Sequence, residues 1–223
     1  MEMPDLTPDM LLKAYAVGVF PMAEDRNDPE LFWVDPRMRG IIMLDRFHVP
    51  RSLRKVIRRG QFEVTYDRDF EDVIEACAES TDERPRTWIN DKIIELYSTL
   101  HRMGHAHSVE CRLSGQLVGG LYGVSLGGVF FGESMFSRIT DASKVALVHL
   151  VAALRFGGYR FVDTQFITRH LARFGAVELP RNEYRKLLSQ SLGVRAKFIA
   201  EPDPEYIEHV MAGSTARRRR AGD

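Results

Sequence analysis

The stretch Ala106–Ser134, AHSVECRLSGQLVGGLYGVSLGGVFFGES, alternates apolar and polar residues and is interrupted by the turn-forming runs LSGQ and SLGG. Successive side chains of a strand face opposite ways, so this pattern reads as three strands in an antiparallel meander. The period then changes. SKVALVHLVAALRFGG, residues 143–158, is apolar nearly all round, which describes a buried helix ended by Gly157 and Gly158. Between the two, GGVFFGESMFSRITDAS reads as a strand end followed by a polar loop. Glu133, Ser134, Ser137 and Lys144 crowd that junction between two apolar segments.

Downstream, YRFVDTQF (159–166) has the pattern of a strand, and TRHLARFGA and RNEYRKLLSQSLG those of helices. Upstream, LTPDMLLKAYAVGVFP predicts a helix capped by Thr7, with Pro8 in its first turn, Leu11, Leu12 and Tyr15 as its stripe and Gly18 at its end. AEDRNDPELFWVDPRMRG (23–40) is turn-rich with one short aromatic strand. HVPRSLRKVIRRG predicts an amphipathic helix with Leu53, Val56 and Ile57 inward. QFEVTYD is strand-like, while DFEDVIEACAES and NDKIIELYSTLHRMG are helical, the latter capped at Asn90 and stopped at Gly104. The expected architecture is a mixed α/β domain around one sheet, residues 41–223, preceded by a small N-terminal unit, residues 1–40. The tail EPDPEYIEHVMAGSTARRRRAGD lacks strong periodicity, and roughly the last 20 residues are expected to fray.

With 223 residues, 44% hydrophobic and 28% charged, the chain is globular and long enough to bury a core without disulfides. Its formal net charge is zero, so a polyanionic partner has to be met by a local basic patch. Cys77 and Cys111 lack a paired spacing, which fits reduced thiols in the cytoplasm. The N-terminus has neither the basic nor the apolar region of a signal peptide, and no apolar run is long enough to span a bilayer.

Two familiar chemistries are excluded by their spacing. GESMF is not a serine-hydrolase elbow, because Phe136 stands where the second glycine belongs. His105 and His107 share a strand face near Glu110, but no third ligand arrives at a suitable distance, so no metal site is assigned.

Taken in order, LLKAYAVGVFP, TWI, LH, GHAHSVE, LVGGLYGV, FGESMFS, DASKVAL, DTQF and FGA resemble the leucyl/phenylalanyl-tRNA–protein transferase family from about Leu11 to Leu188. The resemblance implies a GNAT-like (acetyltransferase-type) fold. The implied activity is transfer of Leu or Phe, with Met a third candidate donor, from aminoacyl-tRNA to the α-amino group of proteins beginning with Arg or Lys, which marks them for N-end rule degradation. The ester is already activated, so the reaction needs no cofactor, ATP or metal. The acceptor amine, with an ordinary pKa of roughly 8, is partly neutral at pH 7. The protein has to align amine and ester, remove a proton and stabilise an oxyanion.

The resemblance assigns catalysis to Asp163 and Gln165. In a strand these positions share a face, with the Gln165 amide receiving the amine's hydrogen and Asp163 orienting and polarising that amide. Glu133 is implied as a site residue, and selection of N-terminal Arg or Lys makes it the expected cation anchor. Leu and Phe share size and apolarity, so the donor slot is expected to be apolar, with Leu121, Phe130, Leu150 and Val162 as its lining. Met22 stands where the family carries an adenine-stacking Trp, and Trp88 matches the family's TWI motif. The basic face Arg51, Arg54, Lys55, Arg58 and Arg59 is the expected contact for the tRNA body, with the Arg217–Arg220 run adding nonspecific attraction. Expected partners are Leu-tRNA or Phe-tRNA and acceptor proteins, with no membrane, and the chain is expected to be a monomer.

Two rivals are weighed beside this reading. An acetyl-CoA-dependent N-acetyltransferase would need a glycine-rich phosphate loop, where SRITDAS has no glycine and an aspartate. A noncatalytic tRNA-binding module would keep the basic helix but has no use for Asp163, Gln165 and Glu133 together.

Overall fold

The computed structural model describes residues 6–81 and 85–213, so the Arg217–Arg220 run lies outside the described residues. Helix α1 (Pro8–Ala16) starts as read: Thr7 Oγ1 accepts from the Met10 N–H, and Gly18 turns the chain at φ 87°. A two-stranded ribbon follows, β1 (Phe20–Met22) against β2 (Phe32–Val34). The turn-rich reading of the next segment is corrected: Met38–Met43 forms strand β3. It shows no alternation because Arg39 to Ile42 are all buried, as in a strand covered on both faces.

Helix α2 (Arg51–Arg58), strand β4 (Glu63–Tyr66) and helices α3 (Phe70–Ala78) and α4 (Asp91–Arg102) follow, the last capped by the Asn90 side chain on the Ile93 N–H. The meander is β5 (Ala106–Leu113), β6 (Gln116–Leu126) and β7 (Val129–Ser137). Helix α5 (Ala142–Gly157) ends at left-handed Gly158 and returns the chain to β8 (Phe161–Gln165). The chain closes with α6 (Arg169–Ala172), β9 (Val177–Pro180), α7 (Arg181–Leu192) and α8 (Pro204–Ala212). The fraying expected of the tail is overturned for its first part. Helix α8 carries Ile207, Val210 and Met211 into the core beside α5, a burial that outweighs its weak sequence pattern.

One seven-stranded sheet, in the order β4-β5-β6-β7-β8-β3-β9, carries the fold. Strand alternation divides its side chains between two cores. Ile42, Leu121, Phe130 and Val162 join α5, α2 and α8 on one face; Ile41, Tyr122, Phe131 and Phe161 join α1, α3, α4 and α7 on the other. All neighbours are antiparallel except β7 and β8, which pair in parallel only from Val129–Phe161 to Phe131–Asp163. Beyond that point the two strands part, and the gap opens in the middle of the sheet. Among the described residues no helix is long and apolar enough to cross a membrane.

Candidate active site

The gap between β7 and β8 is a cavity of about 260 Å³. Its greasy wall includes Leu121, Met135, Leu147, Leu150, Val162 and Leu171, and its polar wall Glu133 and Gln165. Met22, Trp88 and half-exposed Phe166 stand among the residues around it.

Glu133 reaches this cavity through a defect in the strand, which runs on to Ser137 where the sequence reading ended it near Glu133. Gly123 pairs with Gly132 and Tyr122 with Ser134, leaving Glu133 as the extra residue of a β-bulge. A bulge re-aims a side chain, and here it sends the carboxylate to two buried hydroxyls. Tyr15 donates to Oε1 at 2.7 Å and Tyr97 to Oε2 at 3.3 Å, while the two hydroxyls also touch each other. Gln165 Nε2 lies 3.4 Å from Oε1. All these donors are neutral. Burial therefore pushes the Glu133 carboxyl up to about 8, with nearby Asp163 adding to the rise and the tyrosine hydrogen bonds and Arg39 opposing it. Burial, and then the Glu133 charge, in turn raise Tyr15 and Tyr97 well above an ordinary tyrosine.

Asp163 is fully buried and faces a cation. Arg39 Nε lies 2.9 Å from Oδ1 and 3.0 Å from Oδ2, and Arg39 Nη2 lies 2.8 Å from Oδ2. Tyr184 donates its hydroxyl to Oδ2 at 2.5 Å, and the Gln165 main-chain N–H donates to Oδ1 at 2.9 Å. Arg39 is itself fixed by the Gly18 carbonyl at 3.1 Å and by the Phe20 and Tyr184 rings, 4.6 and 4.8 Å from its guanidinium carbon. Asp163 therefore touches Gln165 through the backbone, and the carboxylate within reach of the Gln165 amide is that of Glu133. The expected carboxylate-to-amide contact fails because Gln165 has a φ of 55°, which breaks the strand alternation.

Of the lining expected from sequence, Leu121, Leu150 and Val162 face the cavity, as do Met22 and Trp88. Phe130 does not. It is buried in the α5-side core, stacked on Phe198, in the stretch where β7 and β8 are still paired. Lys144 pairs with Asp141 and not with Glu133; Ser137 bonds the Ile139 carbonyl and accepts from the Ser143 N–H. His107 pairs with Asp67, and Glu110 accepts from Thr65 and Ser108. Among the described residues no group of three His, Cys, Asp or Glu is placed to hold a metal.

On α2, Arg51, Lys55 and Arg59 are exposed, but Arg58 is committed to Glu208 on α8 at 2.9 Å, and Arg54 is half-buried on the Val49 carbonyl. The start of this helix, at Pro50, Ser52 and Leu53, borders a second small recess lined also by Lys144, Arg173 and His170, and His170 lines the main cavity as well. Burial, then Lys144 and Arg173, lower the His170 pKa, so it stands there uncharged at neutral pH.

The sequence did not single out Arg39, Tyr97 or Tyr184, and it read Tyr15 only as a stripe residue. A usable signal was the RGIIM run, where a lone arginine precedes a wholly apolar strand.

A family model described as leucyl/phenylalanyl-tRNA protein transferase matches residues 41–189, and one described as the N-terminal domain of the same transferase matches residues 4–37. A leucyl/phenylalanyl-tRNA–protein transferase of Paramagnetospirillum magneticum is 57% identical over 193 residues, covering 86% of this chain and 92% of the relative. Another so named, from Rhodopseudomonas palustris, is 59% identical over 198 residues, covering 89% and 88%. Among solved structures, the crystal structure of FemX aligns with a TM-score of 0.53 at 11% identity, over 83% of this chain and 73% of that one. At that identity the likeness speaks for the fold alone, a GNAT-like mixed sheet flanked by helices.

Proposed function

The chain belongs to the leucyl/phenylalanyl-tRNA–protein transferase family, an aminoacyltransferase family, and from that premise we propose how its cleft performs the transfer of Leu or Phe from aminoacyl-tRNA to protein N-termini. The observation that carries the reading is one cavity with an apolar wall on one side and Glu133 with Gln165 on the other. The donor's Leu or Phe side chain fills the apolar wall formed by Leu121, Leu150 and Val162. Its terminal adenosine rests toward Met22, Trp88 and Phe166, where flat and polarisable surfaces are available.

The acceptor peptide brings its N-terminal Arg or Lys cation to Glu133. The protein's own hydrogen-bond partners for that carboxylate are hydroxyls and an amide, so an arriving cation supplies a direct counter-charge and draws its pKa back down. The Gln165 amide oxygen then accepts a hydrogen from the α-amine and orients its lone pair on the ester carbonyl. The amine nitrogen bonds to the carbonyl carbon, the bond to the ribose oxygen breaks, and the amine's proton ends on that oxygen. No redox change or phosphate transfer is involved. The basic face of α2, joined to the cleft through the recess at His170, offers a path for the tRNA body.

We read residues 1–40 as a small N-terminal unit that walls the cleft with Phe20 and Met22; the division of the two family models between residues 37 and 41 supports this. Reliance on charged tRNA, with both cysteines buried and neither in a disulfide, favours a cytoplasmic setting, and we take degradation signalling as the outcome.

The test mixes purified protein, labelled Leu-tRNA and peptides that differ only in their first residue. Label is expected on Arg- and Lys-initiated peptides and not on Ala-initiated ones. Binding of Leu-tRNA with no label on any peptide would refute the reading.

A further inference from the structure

The strained point of the cleft is Gln165. It is a non-glycine residue at φ 55°, and the Phe166 N–H donates to the Thr164 carbonyl across it, closing a three-residue turn. This is the rarer form of γ-turn, a strained conformation that an ordinary residue keeps only where its surroundings impose it. In a regular strand Gln165 would follow Asp163 toward Arg39 and Tyr184. The turn sends its amide to Glu133 and the cavity instead.

The surroundings over-determine that conformation. Gly40 faces Gln165 across β3 and β8, at a break in their register. A β-carbon at Gly40 would lie 2.8 Å from both the Phe166 carbonyl carbon and Thr164 Oγ1, so only glycine lets the turn approach β3. Asp163 holds the Gln165 N–H, and both its oxygens are gripped by the planar fork of Arg39, with Tyr184 closing the set. A planar guanidinium fixes both the position and the plane of a carboxylate, which a point charge does not.

We propose that Arg39 is a positioning residue for aminoacyl transfer: by immobilising Asp163 it keeps Gln165 in the strained turn and its amide on the cleft. Asp163 on this account acts through the main chain of Gln165 and does not polarise the side-chain amide. The proposal rests on the transfer reading above, and the measurements are chosen to separate the two.

The first variant is Arg39→Lys, which keeps the charge and loses the fork. Single-turnover transfer of labelled Phe from Phe-tRNA to an Arg-initiated peptide should slow by about 10-fold or more, with Phe-tRNA affinity within about twofold of wild type. Hydrogen exchange should quicken over residues 163–167 and stay unchanged in α5, a local signature that a merely stabilising arginine would not give. Undiminished transfer, or unchanged exchange at 163–167, would overturn the proposal. If Arg39→Lys does not fold, the charge-free pair Arg39→Met with Asp163→Asn takes its place, since replacing both members of a buried pair is tolerated. The same loss is expected there, and full activity in that double variant would equally overturn the lock. If wild type itself transfers nothing, the transfer reading falls, and the exchange comparison still judges the lock.

Discussion

Asp163 and Glu133 border the same gap between β7 and β8, yet their surroundings are opposites. Asp163 is saturated: a bidentate arginine, a tyrosine hydroxyl and a main-chain N–H occupy its oxygens. Glu133 is held by two tyrosines and an amide, none of which carries charge. The first carboxylate is committed to the fold. The second has no cation in direct contact and lines the cavity, where, on our proposal, the cationic end of the acceptor arrives. An aminoacyltransferase that prefers Arg or Lys ends needs this asymmetry, because a charge already neutralised inside the protein has nothing to offer a ligand.

The largest expected effect breaks the comparison at the level of stability. Asp163→Asn strands Arg39 in the interior, and removal of one partner of a buried pair costs about 3–5 kcal/mol. Glu133→Gln should behave in the opposite sense as pH rises. The folded-state pKa of Glu133 is raised from 4.5 to about 8, so the native state binds its proton more tightly than the unfolded chain does. Its contribution is fully present below 4.5 and is lost as pH climbs toward 8, with a slope of at most about 1.4 kcal/mol per pH unit. Urea unfolding at several pH values from 5 to 8.5 should therefore show Glu133→Gln gaining on wild type with rising pH, and Asp163→Asn destabilised throughout. Equal behaviour of the two variants would erase the distinction.

The next effect is on specificity. Glu133→Gln removes the uncommitted charge and should lower kcat/KM for an Arg-initiated peptide by about 10- to 100-fold, the worth of a charged hydrogen bond of about 1.5–3 kcal/mol. An Ala-initiated peptide should be nearly unaffected. Competition between the two peptides for one pool of Phe-tRNA measures the ratio directly. An unchanged ratio would mean that some other group reads the cation.

Much of this was legible in the sequence, for identifiable reasons. Period-two alternation from Ala106 onward set out the meander, and the all-apolar run after Ser143 set out α5. The motif order brought Glu133, Gln165, Leu121, Leu150 and Val162 to one cavity. What escaped was set by tertiary geometry. Alternation within β7 sends Phe130 and Phe131 into different cores, and neither lines the cleft, which opens only where β7 and β8 have parted. The bulge at Glu133 depends on how β6 registers against β7. Arg39 looked like an ordinary surface arginine in a turn-rich stretch, because its partner lies 124 residues away. Helix α8 has weak periodicity of its own and is ordered by contact with α5.

The smallest effect carries the same distinction to the protein surface. Arg51 and Lys55 of α2, and Arg59 at its C-cap, make no ion pair among the described residues, whereas Arg58 is forked onto Glu208. On the proposal that α2 meets the tRNA, the first three are available to phosphates and Arg58 is not, for the same reason that Asp163 is not available to a peptide. Replacing Arg58 would confound two changes, since it would also bare Glu208 to the tRNA. Glu208→Gln is the cleaner change: it frees Arg58 and removes a repelling charge without touching α2. Exposed pairs of this kind are weak, so the gain should be small, about two- to fivefold tighter binding of Phe-tRNA at low salt. Because one more cation then displaces counterions, the slope of log affinity against log salt should steepen by up to about 1. Both are read from one salt titration of wild type and variant. A variant that binds like wild type at every salt concentration would place Arg58 outside the tRNA footprint and confine any contact on α2 to the exposed Arg51, Lys55 and Arg59.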